Sequence, residues 1–183
     1  AFMVNTDLEG AATRVNLSNC KFYDNHDCTA ANAKYHGGTA VYLANNATAT
    51  LHNCQISGSK AKSRGGALRA NNATSTFFLN NCSIYENSIT DEWGNAVQVS
   101  AGNLLMNNCT VAKNAGQGGA INGSGNWVIV NSTIINSHVV NNEARDMTIR
   151  CESKAGNDVA IMMNSIVLFD GEKSVDLLLD LGS

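Results

Sequence analysis

The chain has 183 residues, enough to bury a substantial core and too few for two comfortable domains. Twelve Lys+Arg against fifteen Asp+Glu leave a net charge of −3, with 15% of residues charged, which argues against a nucleic-acid binder held by a basic surface and against a disordered charged tail. Hydrophobic residues reach 44% with aromatics at only 6%, proline is absent, and Gly, Asn, Ala, Ser and Thr recur throughout, the mixture of a repetitive β structure.

From the N-terminus, Ala1-Phe2-Met3-Val4 shows neither the basic region nor the long apolar run of a signal peptide. No window of about 18 apolar residues occurs, so no transmembrane helix is expected. The same four residues match Ala40-Val41-Tyr42-Leu43, so the chain opens in mid-repeat. Next, the alternation of Val15 and Leu17 reads as a strand and leads into Asn19-Cys20-Lys21-Phe22. This second unit returns at Asn53-Cys54, Asn81-Cys82, Asn108-Cys109, Asn131-Ser132 and Asn164-Ser165, at successive spacings of 34, 28, 27, 23 and 33 residues. Between its copies stands a glycine unit: Gly37-Gly38-Thr39-Ala40-Val41, Gly65-Gly66-Ala67-Leu68, Gly94-Asn95-Ala96-Val97 and Gly118-Gly119-Ala120-Ile121. Period-two alternation follows each glycine unit, as in Val41/Leu43 and Val97/Val99, and precedes each Asn unit, as in Phe77/Leu79 and Trp127/Ile129. At the C-terminus, residues 174–181 read as the strand that opens a seventh coil.

Three short strands per repeat, joined by Asn, Gly and Ser turns with no helical period, predict an all-β fold. It is a right-handed parallel β-helix of about six coils, one domain spanning residues 1–183 and forming a segment of a longer protein. Stacking predicts a corner ladder of Asn19, Asn53, Asn81, Asn108, Asn131 and Asn164, and an inner column of Cys20, Cys54, Cys82 and Cys109 continued by Ser132 and Ser165. Glycine pairs suit corners needing positive φ or close backbone approach. End coils would need cover from further protein or a partner chain.

Phe22-Tyr23-Asp24-Asn25, Ile84-Tyr85-Glu86-Asn87 and Val111-Ala112-Lys113-Asn114 follow the Asn-Cys unit and are separated by turns from the Gly-Gly-Ala-apolar units. Over about residues 15 to 137 this resembles the Phe-x-x-Asn and Gly-Gly-Ala-Ile repeats of chlamydial polymorphic outer-membrane proteins. The copies at Ile56 to Ser59 and Ile134 to Ser137 lack the final Asn. The resemblance implies a β-helix displayed outside the cell or at a bacterial outer membrane, with adhesion rather than a shared reaction.

The six cysteines contain no Cys-x2-Cys pair, so no zinc site or other metal is expected, and no cofactor. Four belong to the inner column as free thiols, while Cys28 and Cys151 are placed in insertions, Asn25 to His36 and Arg150 to Asn157. Sequons occur at Asn16, Asn46, Asn72, Asn81, Asn108, Asn122 and Asn131, and Asn-rich coils generate them freely.

Function is sought on the outer face of the strand that follows the glycine corner. If Val41, Leu68, Val97 and Ile121 point inward, Tyr42, Arg69, Gln98 and Asn122 point outward, with Met3 before and Arg150 after them. His36, Arg64, Trp93 and Gln117, which precede the corners, form a neighbouring column. Aromatic faces, amides and guanidinium groups at steps of about 4.8 Å could bind an extended polysaccharide or a host-surface glycan or protein, carboxylated or sulfated where Arg64 and Arg69 attract it. The plainer alternative is an ordinary solvated strand face. No catalytic residues are assigned, because outward positions of the face carry no Asp or Glu. Asp91-Glu92 beside Arg64 or Arg69 is the cluster an enzyme would have to use. The expectation is a non-enzymatic surface or secreted module, adhesin-like or structural, that binds no nucleic acid. The alternatives are a polysaccharide lyase or glycoside hydrolase, and a trimeric fibre or tailspike component.

Overall fold

The computed structural model describes residues 2–4, 11–26, 37–62, 64–93, 96–117, 119–138, 147–152, 159–169 and 175–180. Within them every regular element is a strand, and each paired strand runs parallel to its equivalent in the next coil. The first sheet stacks Phe2–Val4, Val41–Leu43, Leu68–Ala70, Val97–Val99, Ile121–Gly123, Met147–Glu152 and Val175–Asp180. The second stacks Thr13–Ser18, Ala47–His52, Thr76–Asn80, Asn103–Asn107, Asn126–Val130 and Ala160–Met163. The third runs from Lys21–Tyr23 through Gln55–Ser57, Ser83–Tyr85, Thr110–Gln117 and Thr133–His138 to Ile166–Phe169, with Lys60–Ala61 and Ser88–Trp93 paired beside it. Successive strands of one sheet come from successive coils, so the chain winds around a single axis. The expected opening match, Phe2 on Val41, and the seventh-coil strand, Ile149 on Leu177, are both present.

Period-two side chains fill the interior. Val41, Leu68, Val97 and Ile121 from the first sheet meet Phe77, Leu104 and Trp127 from the second and Ile56, Ile84 and Val111 from the third, all buried. Burying each such side chain contributes roughly 1.5–3 kcal/mol, so the stack of apolar rows holds the coils together.

The corners explain the repeated asparagines. Asn19, Asn53, Asn81, Asn108, Asn131 and Asn164 all have φ between 47° and 56°, the left-handed region that Asn tolerates better than most residues. Their amides form the expected ladder in part: Asn53 Nδ2 donates to Asn19 Oδ1 at 3.2 Å and Asn108 Nδ2 to Asn81 Oδ1 at 2.6 Å. Asn131 steps sideways to Asn107, which donates in turn to Asn80. A deeper pair comes from the Phe-x-x-Asn unit. Asn87 and Asn114 are fully buried, Asn87 Nδ2 donates to Asn114 Oδ1 at 3.0 Å, and Asn87 Oδ1 accepts from the Ser59 N–H.

Cys54, Cys82, Cys109 and Ser132 form the expected inner column, with Cys20 and Ser165 half-buried at its ends. Cys151 corrects the sequence reading. It lies within a first-sheet strand, fully buried, stacked on Gly123 and under Leu179. Cys28 lies outside the described residues.

Candidate functional site

The outer face of the first sheet keeps the expected register: Met3 on Tyr42, Tyr42 on Arg69, Arg69 on Gln98, Gln98 on Asn122 and Asn122 on Arg150. It is not the solvated strand face that alternation alone suggests. Arg69 is 1% exposed, Gln98 7% and Asn122 6%, while Tyr42 and Arg150 are half-buried.

The glycine corners cause this burial at Arg69 and Gln98. Gly38 and Gly65 adopt φ of +66° and +71°, so both need the freedom glycine has. They also pass over the outward side chains of the sheet. A Cβ on Gly38 would stand 2.9 Å from Arg69 Cβ, and one on Gly65 would stand 3.1 Å from Arg69 Cβ and 3.2 Å from Gln98 Cβ. The corner backbone is therefore a roof over the column.

Beneath it, Arg69 is held on two sides. Its Nη2 donates to Asn71 Oδ1 at 2.9 Å, and its Cζ lies 5.5 Å from the centre of the Tyr42 ring, within cation–π range. Sequence reasoning missed Asn71, although an Asn two places beyond an outward Arg on a strand is within side-chain reach of it. Gln98 Oε1 and Asn122 Nδ2 are buried and find no hydrogen-bond partner among the described residues. One is an acceptor and the other a donor, on paired coils.

The neighbouring column is shifted by one residue from the sequence alignment. Val41 pairs with Leu68, so Gly38 stands on Gly65 and Thr39 takes the place of the second glycine. Gly37 rather than His36 then precedes the corner in register with Arg64, and His36 itself lies outside the described residues. Trp93 and Gln117 are paired as expected, and Arg64 is half-buried with φ 39°. The sites thus divide: Tyr42, Arg64 and Arg150 border solvent, whereas Arg69 and Gln98 are roofed and Asn122 is buried.

The inner thiols have their own chemistry. Burial pushes the Cys54 thiol up, and Cys82 is raised by its hydrogen bond with the Cys109 sulfur and by burial. The Cys54 and Cys82 Sγ–H groups point at carbonyls of the preceding coil, Leu17 and Leu51, each at 3.4 Å. The same Cys82–Cys109 hydrogen bond lowers Cys109 against its burial. Cys54, neutral and enclosed, acts as a small apolar spacer. Among the described residues no group of three or more His, Cys, Asp or Glu is placed to hold a metal ion.

With this geometry in place, the family model for a right-handed β-helix region matches residues 8–166. The chain belongs to the right-handed β-helix family. The match fixes the sense of winding and spans the stacked coils described above. No curated protein matches this β-helix. No solved structure matches it either. No helix in the described residues is long and apolar enough to cross a membrane.

Proposed function

We propose that this β-helix is a non-enzymatic module of a cell-surface or secreted protein, a rigid rod whose first-sheet rim contacts an extended glycan. One observation carries the reading. The residues that recur from coil to coil are taken up by the architecture, and the outward first-sheet column Tyr42, Arg69, Gln98, Asn122 and Arg150 contains no carboxylate. A glycoside hydrolase needs two carboxyl groups a few Å apart, and a calcium-assisted lyase needs acidic ligands. Burial of Arg69, Gln98 and Asn122 confines ligand contact to the half-buried residues, of which Tyr42 offers a ring face and Arg64 a guanidinium fork suited to carboxylated or sulfated sugars. The likeness of the repeats to those of chlamydial surface proteins supports the location outside the cell.

A glycan array that includes carboxylated and sulfated chains tests this. Binding is expected to fall about tenfold or more in Tyr42→Ala and Arg64→Ala, the loss of roughly 1.4 kcal/mol of contact, with circular dichroism unchanged. Release of oligosaccharide from an acidic polysaccharide, abolished by Asp91→Asn with Glu92→Gln, would overturn the reading in favour of an enzyme.

A further inference from the structure

The second sheet presents a different outer face, and its composition changes along the rod. Its central outward row reads Asn16, Thr50, Phe78, Leu105, Val128, Ile161, polar at one end and apolar at the other. Phe78 is 40% exposed and Ile161 44%, so this apolar row meets solvent in the single chain, as does Met163 at the end of a flanking row. Among the outward residues of the described strands of this sheet, Arg14 on the first strand carries the one formal charge, and Thr48 to Met163 contribute none. The third sheet differs, since its corner carries Asp24, Glu86 and Lys113.

The polar rows that flank the apolar one are already hydrogen-bonded along the stack. Asn107 Nδ2 donates to Asn80 Oδ1 at 3.2 Å, Asn103 Nδ2 to Thr76 Oγ1 at 3.1 Å, and Asn126 Nδ2 to Asn103 Oδ1 at 3.3 Å. Amides paired in this way lose less on leaving water than unpaired ones, so the face can be dried at low cost.

We infer that the outer face of the second sheet is an interface between copies of this chain, packed parallel with each coil on its counterpart. Three arguments select a second copy. First, from Thr48 to Met163 the face carries no formal charge on either side of such a contact, so Arg14, at the polar end, is the one charge of each copy that meets the seam. Second, a rod with ridges every ~4.8 Å is met ridge for ridge only by a partner of the same pitch, which a second copy has by construction. Third, the area suffices: six strands of about five residues cover roughly 29 by 17 Å, so two faces bury about 1,000 Å², the lower bound of a specific interface. The polar-to-apolar gradient sets the direction. A parallel pair places Ile161 against Ile161, whereas an antiparallel pair would set Ile161 against Asn16. The rotation axis then lies along the rod, and closed rings of two or three copies satisfy it.

Sedimentation velocity on the whole chain, up to about 100 µM, reads the assembly directly. A dimer or trimer is expected, and Val128→Lys or Phe78→Ser should each return it to a monomer with an unchanged β-sheet circular dichroism spectrum. Gln55→Lys, on the exposed face of the third sheet, should leave the assembly intact. Ile161→Cys should form a disulfide between copies under oxidised glutathione, beyond whatever the wild-type chain forms. A wild-type monomer at the highest concentration, or an assembly that survives both second-sheet substitutions, would overturn the interface. Failure of Ile161→Cys to cross-link in a persisting assembly would overturn the parallel arrangement.

Discussion

Single residues here answer to the coil above or below them more than to their neighbours in sequence. Gly65 is the plainest case, because its φ of +71° and the approach of Leu68 O, 2.6 Å from where a Cβ would sit, leave no room for a side chain. Gly65→Ala is expected to cost at least about 2 kcal/mol, the left-handed penalty of 1–2 plus the clash, measurable by urea denaturation. The thiols make a second residue-scale prediction. With the folded-state pKa of Cys54 raised by burial, the native state withholds the proton loss that the unfolded chain undergoes from the ordinary thiol value upward. Its contribution is therefore complete below pH 9 and lost as pH rises beyond it, by up to about 1.4 kcal/mol per pH unit. Cys54→Ala should flatten the alkaline limb of a stability–pH curve. If it leaves that limb unchanged, this thiol is not its cause.

At the scale of strands and corners, much was legible in the sequence because each element is written several times. The alternation Phe77/Leu79, Leu104/Met106, Trp127/Ile129 locates the second sheet, and the left-handed turn at each Asn-Cys or Asn-Ser step locates its end. What escaped reading depended on distance in space. The roof over Arg69 exists because a corner passes across the sheet, and no spacing within one strand encodes that. Cys151 was misplaced because the insertion before it hides the Ile149/Cys151 alternation. His36 was chosen over Gly37 by aligning glycines instead of the Ala40-Val41 and Ala67-Leu68 pairs, whose register the backbone obeys. Asn87 and Asn114 show what a corner can hold. Asn114 Oδ1 accepts from both the N–H and Nδ2 of Asn87; Asn114→Leu strands the buried Asn87 N–H, whereas Nδ2 keeps the Ile56 and Tyr85 carbonyls as acceptors. The expected loss is about 2 kcal/mol by thermal or chemical denaturation; Asn108→Leu on the exposed corner should cost about 1–2 for a different reason, the left-handed φ of 52° that Leu tolerates poorly.

Across the whole molecule, stability is a sum over neighbouring coils, and it separates the surfaces. The rim proposed to contact a glycan lies on the first sheet and the face proposed for self-association on the second, so the two can be altered independently. Substitutions on Tyr42 or Arg64 should leave the sedimentation profile untouched. Changes at Val128 should leave the affinity of each chain for a soluble, single-site glycan untouched, although avidity on an array would fall with the number of chains joined.

The corner glycines have a consequence for how such a rod changes length. Each roof fits whatever outward side chain the following turn supplies, and each turn satisfies its edges by meeting another of the same pitch. Inserting a duplicate of residues 81–107, one 27-residue period from Asn81 to Asn108, would therefore extend the structure by one step of about 4.8 Å and keep every seam intact. A single added residue within a strand would instead turn its buried row outward. Heredity can lengthen or shorten this protein in whole storeys, never in fractions of one.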